Sequence, residues 1–210
     1  MKLYWFQVAP NPTKVRLYVA EKNAHGGAIV LDGVVLKLPK GEQHSAEHRA
    51  RNPFGAVPVL EFDDGGTLTE SLAIIEYLEE LHPQPSMWGE NARERARSRE
   101  LERIADLRVL LPIARYIHAT NSPTGRPPNP GVAEQAQTAW PAALAYFDQI
   151  LADGQPFLAG AMPTVADCTL AAALQFARFA KLEVLGAYPQ LMRWDAAYRA
   201  REPARAVLTL

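Results

Sequence analysis

Apolar positions are spaced differently in the two halves of the chain. Up to about Leu81 they come in short runs: residues 3–6, 34–38 and 57–62 are predicted strands. Asp63-Asp64-Gly65-Gly66 is the turn of a hairpin into 67–69. Helical spacing fills 13–22 and 71–81, the second with Leu72, Ile74, Ile75, Leu78 and Leu81 on one stripe. The order is strand, helix, strand, helix, hairpin, helix, which is that of a small α/β domain. His82-Pro83-Gln84-Pro85 then breaks the pattern as a linker.

Beyond the linker every periodic segment is helical. Residues 93–118 start highly charged and turn apolar at Val109-Leu110-Leu111, with Pro112 expected to kink the helix. Val132, Ala136, Ala139, Trp140, Ala143, Leu144, Phe147, Ile150 and Leu151 keep one helical stripe over a long stretch. Residues 165–182 are apolar on nearly every side, as a central buried helix would be. Thr164 and Asp167 suit a capping box at its start, with Asp in place of Glu. The loop 121–131 holds four prolines and two glycines. The division is therefore 1–82 for an α/β unit and 90–210 for an all-α unit.

Composition narrows the function classes. Lys plus Arg number 22 against 23 for Asp plus Glu, a net charge of -1 with no long run of one sign, which argues against nucleic acid as the main partner. A single cysteine, Cys168, cannot form an internal disulfide, and the reading is a soluble, cytoplasmic protein with no membrane partner. No His, Cys, Asp and Glu cluster has metal-ligand spacing, so no metal is expected.

The most informative chemistry lies in Asn52-Pro53-Phe54-Gly55-Ala56-Val57-Pro58-Val59-Leu60, followed by Leu68-Thr69-Glu70-Ser71. Pro58 falls at the first position of a strand, where a missing N–H does no harm, and Val57-Pro58 is a candidate cis bond. A cis bond there would turn the N–H and C=O of Val57 outward, free to pair with an extended peptide. Glu70 and Ser71 fall at a helix N-terminus, where unpaired N–H groups attract a carboxylate. Both also suit an ordinary helix start. The implied ligand is a small peptide with a free α-carboxylate and α-amine.

These two motifs resemble the glutathione-binding half of the glutathione transferase superfamily. Residues 9–17, Lys40-Gly41-Glu42-Gln43 and Pro163-Thr164-Val165-Ala166-Asp167 resemble further segments of that family. The resemblance implies a thioredoxin-like N-terminal domain, an all-α C-terminal domain, glutathione as co-substrate and a homodimer. Lys40 and Gln43 would meet the glycine end of the ligand, and Val57, Pro58, Glu70 and Ser71 its other groups. The segment 23–33 is longer than the family's usual loop before the second strand.

Thiol activation departs from the family pattern. Ala9 stands where serine-type members carry a hydroxyl, and Asn11 where some cysteine-type members carry a thiol. Tyr4 lies inside the first strand. The helix N-terminus near Thr13 and the amide of Asn11 remain. A subgroup of the family uses a water held by a histidine and a serine of the helical domain, and His118 and Ser122, four apart, suit that role. Alternatively His118 is a cation at a helix C-terminus. His25, His44, His48 and His82 are expected to be solvated. The implied activity is attack of the glutathione thiolate on small apolar electrophiles. A glutathione-dependent peroxidase or thiol oxidoreductase and a non-catalytic binding module stay open, although Cys168 lies within the buried helix.

Overall fold

A computed structural model describes residues 1–210. Strand β1 (Lys2–Trp5) leads into helix α1 (Pro10–Ala24), then β2 (Asp32–Val35), the short α2 (Ala46–Arg51), β3 (Val59–Glu61), β4 (Thr67–Thr69) and α3 (Ser71–Leu81). The sheet order is β2-β1-β3-β4, with β1 and β2 parallel and the other neighbours antiparallel. Alternation sorts its side chains between two faces. Leu3 and Leu60, a cross-strand pair, join Val15 and Leu17 of α1 and Ile74 and Leu78 of α3 in one core. The neighbouring pair Tyr4 and Val59 serves the other face, where Tyr4 stacks under Arg51 of α2.

The second half is helical: α4 (Ala92–Ala105), α5 (Leu111–Thr120), α6 (Pro130–Gln137), α7 (Pro141–Ile150), α8 (Val165–Phe179), α9 (Pro189–Ala200) and α10 (Glu202–Arg205). Three expectations are corrected here. The irregularity expected at Pro112 is a π turn over Asp106–Leu110 just before it, in the turn whose carbonyl would otherwise look to the N–H that Pro112 lacks. The stripe from Val132 to Leu151 is two helices, because Pro141 begins a new one at its first turn. Helix α8 ends at Phe179, three residues short of the apolar run's end. The pattern also passed over α2, α9 and α10. Pro189 in the first turn of α9 and the stacked Trp194 and Tyr198, four apart, are the signals that mark it.

Helix α8 is the axis of the all-α half, buried from Val165 through Ala177. Asp167 anchors its start. The carboxylate accepts from the Thr164 N–H (2.9 Å) and hydroxyl (3.0 Å), the Leu158 N–H (2.9 Å) and Trp194 Nε1 (3.2 Å). Burial pushes its pKa up to about 6, and the four donors pull the other way. It is ionised at neutral pH.

Helix α1 lies between α3, α8 and α10 and joins the two halves. Three of its charged residues are buried, each against a partner from another element. Lys14 Nζ meets Glu102 Oε1 of α4 and Asp106 Oδ1, both at 3.3 Å. Glu21 accepts from Arg201 at the head of α10, at 2.6 and 3.2 Å. Lys22 meets Glu79 of α3, whose other oxygen accepts the Met87 N–H of the linker at 2.8 Å. Removing one member of such a pair strands the other in a low-dielectric interior. Lys14→Met is expected to cost about 3–5 kcal/mol, read as a drop in denaturant midpoint. Asp167→Ala, which leaves four donors unmatched, is expected to cost roughly the same. Arg99→Ala, whose loose pair with Glu76 spans 3.9 Å at the surface, should change stability by less than about 1 kcal/mol.

Candidate functional site

The segment before β3 is built by two buried side chains. Asn52 donates from Nδ2 to the Ala56 carbonyl at 3.0 Å and accepts the Phe54 N–H on Oδ1 at 3.0 Å. His48 Nε2 reaches the same carbonyl, also at 3.0 Å. His48 is 1% exposed, so the expectation that it is solvated is wrong: a helix of one and a half turns tucks it under the loop. Clamped at Ala56, the chain enters a cis Val57-Pro58 bond. The Val57 N–H and C=O take no hydrogen bond within the protein, while Val59 is already paired in the sheet. One free donor and one free acceptor on a half-buried residue can pair with an extended peptide.

Glu70 sits beside this edge, at the N-cap of α3, with φ of 66°. A non-glycine residue in that region costs on the order of 1–3 kcal/mol and persists where its surroundings require it. Here it turns the chain from β4 into α3 and leaves the first N–H groups of the helix facing outward. The exposed Glu70 carboxylate makes no cap bond. Ser71 is 6% exposed, and its hydroxyl donates to Asn11 Oδ1 at 3.4 Å, which joins the N-termini of α3 and α1. Lys40 is exposed on the turn after β2, and Gln43 is buried nearby with Oε1 lacking any partner.

The first turn of α1 carries no free hydroxyl. Thr13 is 1% exposed and donates to the Ala9 carbonyl at 2.9 Å, so it serves its own helix and not the pocket. Tyr4 is likewise engaged, donating to Glu61 at 2.9 Å. Cys168 is fully buried, with its thiol pKa pushed well up by desolvation. A thiol that is neither ionised nor reachable is no redox nucleophile.

Ala9 instead faces the helical half. A cavity of about 60 Å³ lies between the two units, lined by Phe6, Val8, Ala9, Pro123, His118 and Phe176 among others. His118, in the last turn of α5, is half-buried, and Nδ1 lies 2.8 Å from the Ser122 hydroxyl. The helix stops at Thr120, so the contact forms because residues 121–125 fold back and not because the helix continues. Ser122 in turn meets the Thr124 hydroxyl at 3.1 Å. Desolvation first, and the charge of Arg126 second, hold the His118 pKa below 6.5. The imidazole is therefore neutral at pH 7, which sets aside the reading of a cation at a helix end. The site thus combines a peptide-pairing edge, an anion-attracting helix start and a polar pair in an apolar wall. Phe6, Val8 and Phe176 were missed in the sequence because facing one cavity leaves no period in it.

The family profile for the glutathione S-transferase N-terminal domain matches residues 3–86, and that for the C-terminal domain matches 130–197. The chain belongs to the glutathione S-transferase family. Glutathione S-transferase 2 of Saccharomyces cerevisiae is 31% identical over 218 residues, covering all of this chain and 90% of the yeast protein. Among solved structures, Gtt2 from Saccharomyces cerevisiae superposes with a TM-score of 0.88 at 31% identity, covering 99% of this chain and 100% of that one. A glutathione S-transferase domain-containing protein from Marinobacter aquaeolei VT8 gives 0.86 at 34% identity, covering 97% and 100%. The thioredoxin-like and all-α domains expected from the sequence are those of this family's structures.

The pH behaviour of His118 follows from its surroundings. Its folded pKa lies below its unfolded value, so its contribution to stability is present above pH 6.5 and is lost as the pH falls through the folded pKa. Nuclear magnetic resonance of the imidazole is expected to show a midpoint below 6.5, rising in Arg126→Ala. A midpoint above 6.5 would contradict the burial described here.

Proposed function

We propose that the protein is a glutathione transferase that conjugates glutathione to small apolar electrophiles, with the thiol activated by a water held beside the His118–Ser122 pair. The observation that carries the reading is the 2.8 Å contact of these two residues beside the cavity that Ala9 lines. Val57 would pair with the backbone of glutathione, and its α-carboxylate would sit at the start of α3 with Ser71. Glu70 would hold the α-amine. Lys40 and Gln43 would meet the glycine carboxylate.

With a neutral His118, the thiol proton passes to the held water and onward to the imidazole. The thiolate then attacks the electrophilic carbon, and the leaving group departs with its electron pair. Asn11, hydrogen-bonded to Ser71, and the N-terminus of α1 would stabilise the sulfur's negative charge. A homodimer, a cytoplasmic location and a linker over 83–89 belong to the same reading by analogy with the family. The buried Cys168 weighs against the thiol oxidoreductase alternative.

Calorimetry is expected to show glutathione binding that weakens by about 1.5–3 kcal/mol in Ser71→Ala or Glu70→Ala, the size of hydrogen bonds to charged groups. His118→Ala and Ser122→Ala should each lower kcat ~10-fold or more, about 1.4 kcal/mol of transition-state stabilisation, with glutathione affinity nearly unchanged. If Asn11→Ala alone lowers the rate, activation lies in the first domain. Unperturbed thiol ionisation in bound glutathione, read by ultraviolet absorbance, would leave only a binding module.

A further inference from the structure

The long segment before β2 builds a second cavity, away from the one that Ala9 lines. It holds about 370 Å³ and is walled by Leu3, Trp5, Val19, Ile29, Leu31 and Val207. That volume lies at the lower end of small-molecule pockets. The wall contributed by the loop is held firmly. Asn23 Nδ2 donates to the Ile29 carbonyl and Asn23 Oδ1 accepts the Ile29 N–H, both at 2.8 Å. Val30, beside it, is 80% exposed, an unusual position for a branched apolar residue in a loop tied at both sides.

One charged residue enters this apolar space. Arg16 of α1 lies with its guanidinium carbon 3.7 Å from the Trp5 ring centroid, and its Nη1 is buried without a hydrogen-bond partner. The three buried charges of α1 each have a carboxylate or guanidinium partner, whereas partly buried Arg16 has no ion-pair partner. Stacking on an indole returns only part of what desolvation takes, and an unmatched charged donor costs more than a neutral one. Desolvation lowers its pKa to about 10, so it stays charged at neutral pH.

We propose that this cavity binds an amphipathic monoanion, a carboxylate with an apolar tail, whose head pairs with Arg16 and whose tail lies along Ile29, Leu31 and Val207. A guanidinium fork matches a carboxylate. No second cation lines the cavity, so a phosphomonoester dianion would keep one charge unmatched. A neutral lipid would leave Arg16 as it is.

Decanoate is the probe, with decanol as its uncharged counterpart. Calorimetry on the full chain is expected to show decanoate binding, weakened at least tenfold in Arg16→Met, while any decanol binding stays unchanged. Should Arg16→Met fail to fold, Ala20→Glu, which places a carboxylate against Arg16 inside the cavity, is expected to abolish decanoate binding. A diazirine-bearing fatty acid should label residues 29–33 or the stretch around Val207, located by mass spectrometry. Absence of decanoate binding, equal affinity in Arg16→Met, or labelling confined to the cavity of His118 and Phe176 would overturn the proposal.

Discussion

The buried charges of helix α1 hold the two halves of the molecule in one arrangement. Lys14, Glu21 and Lys22 are 1%, 0% and 0% exposed, and their partners come from α4, α10 and α3. Apolar packing tolerates small slides, because one methyl group replaces another at little cost. A buried ion pair does not, since a displaced partner leaves a charge in a medium that cannot solvate it. The position of α1 is thereby fixed from both sides. Since Ala9 and Asn11 open this helix, the end of the site that Ala9 lines is placed against α5 by contacts about one to three turns along it.

Two strategies position the site, and they differ in energy. On the peptide-pairing side, backbone groups are left open by clamping their neighbours: Asn52 and His48 both spend hydrogen bonds on the Ala56 carbonyl, and Val57 is left free. Glu70 stands in a conformation that only its surroundings support. On the helical side, a polar pair sits in an apolar wall. Burial keeps His118 uncharged, and an uncharged imidazole can accept the proton that a cation would refuse. In the function proposed here, the absence of a hydroxyl at position 9 and the neutral imidazole on α5 are two aspects of one design, in which the activating group would sit in the second domain rather than the first.

Arg16 obeys neither strategy. It lies on the helix whose buried charges are matched, yet its buried Nη1 has no partner, and the loop that closes over it is the segment 23–33 whose length the sequence reading set apart. Those two departures meet in one cavity.

Much was legible in the sequence where local rules dominate. Helix α3 and strand β4 were read at the bounds they have, because Gly65-Gly66 sets the turn and the apolar stripe sets the helix. The carboxylate of Asp167 was read as capping Thr164, and the Val57-Pro58 and Glu70-Ser71 motifs meet across β3 and β4 as their spacing required. Breaks in the helical domain were less visible, since an apolar stripe can run unbroken across Pro141 while the backbone cannot. Only the tertiary structure decided that Thr13 turns inward, that His48 is buried, that Ser122 returns to His118 beyond the helix end, and that Arg16 is alone. Such facts depend on which distant surfaces meet, and a chain's local pattern carries the tendency to be buried but not the identity of the partner.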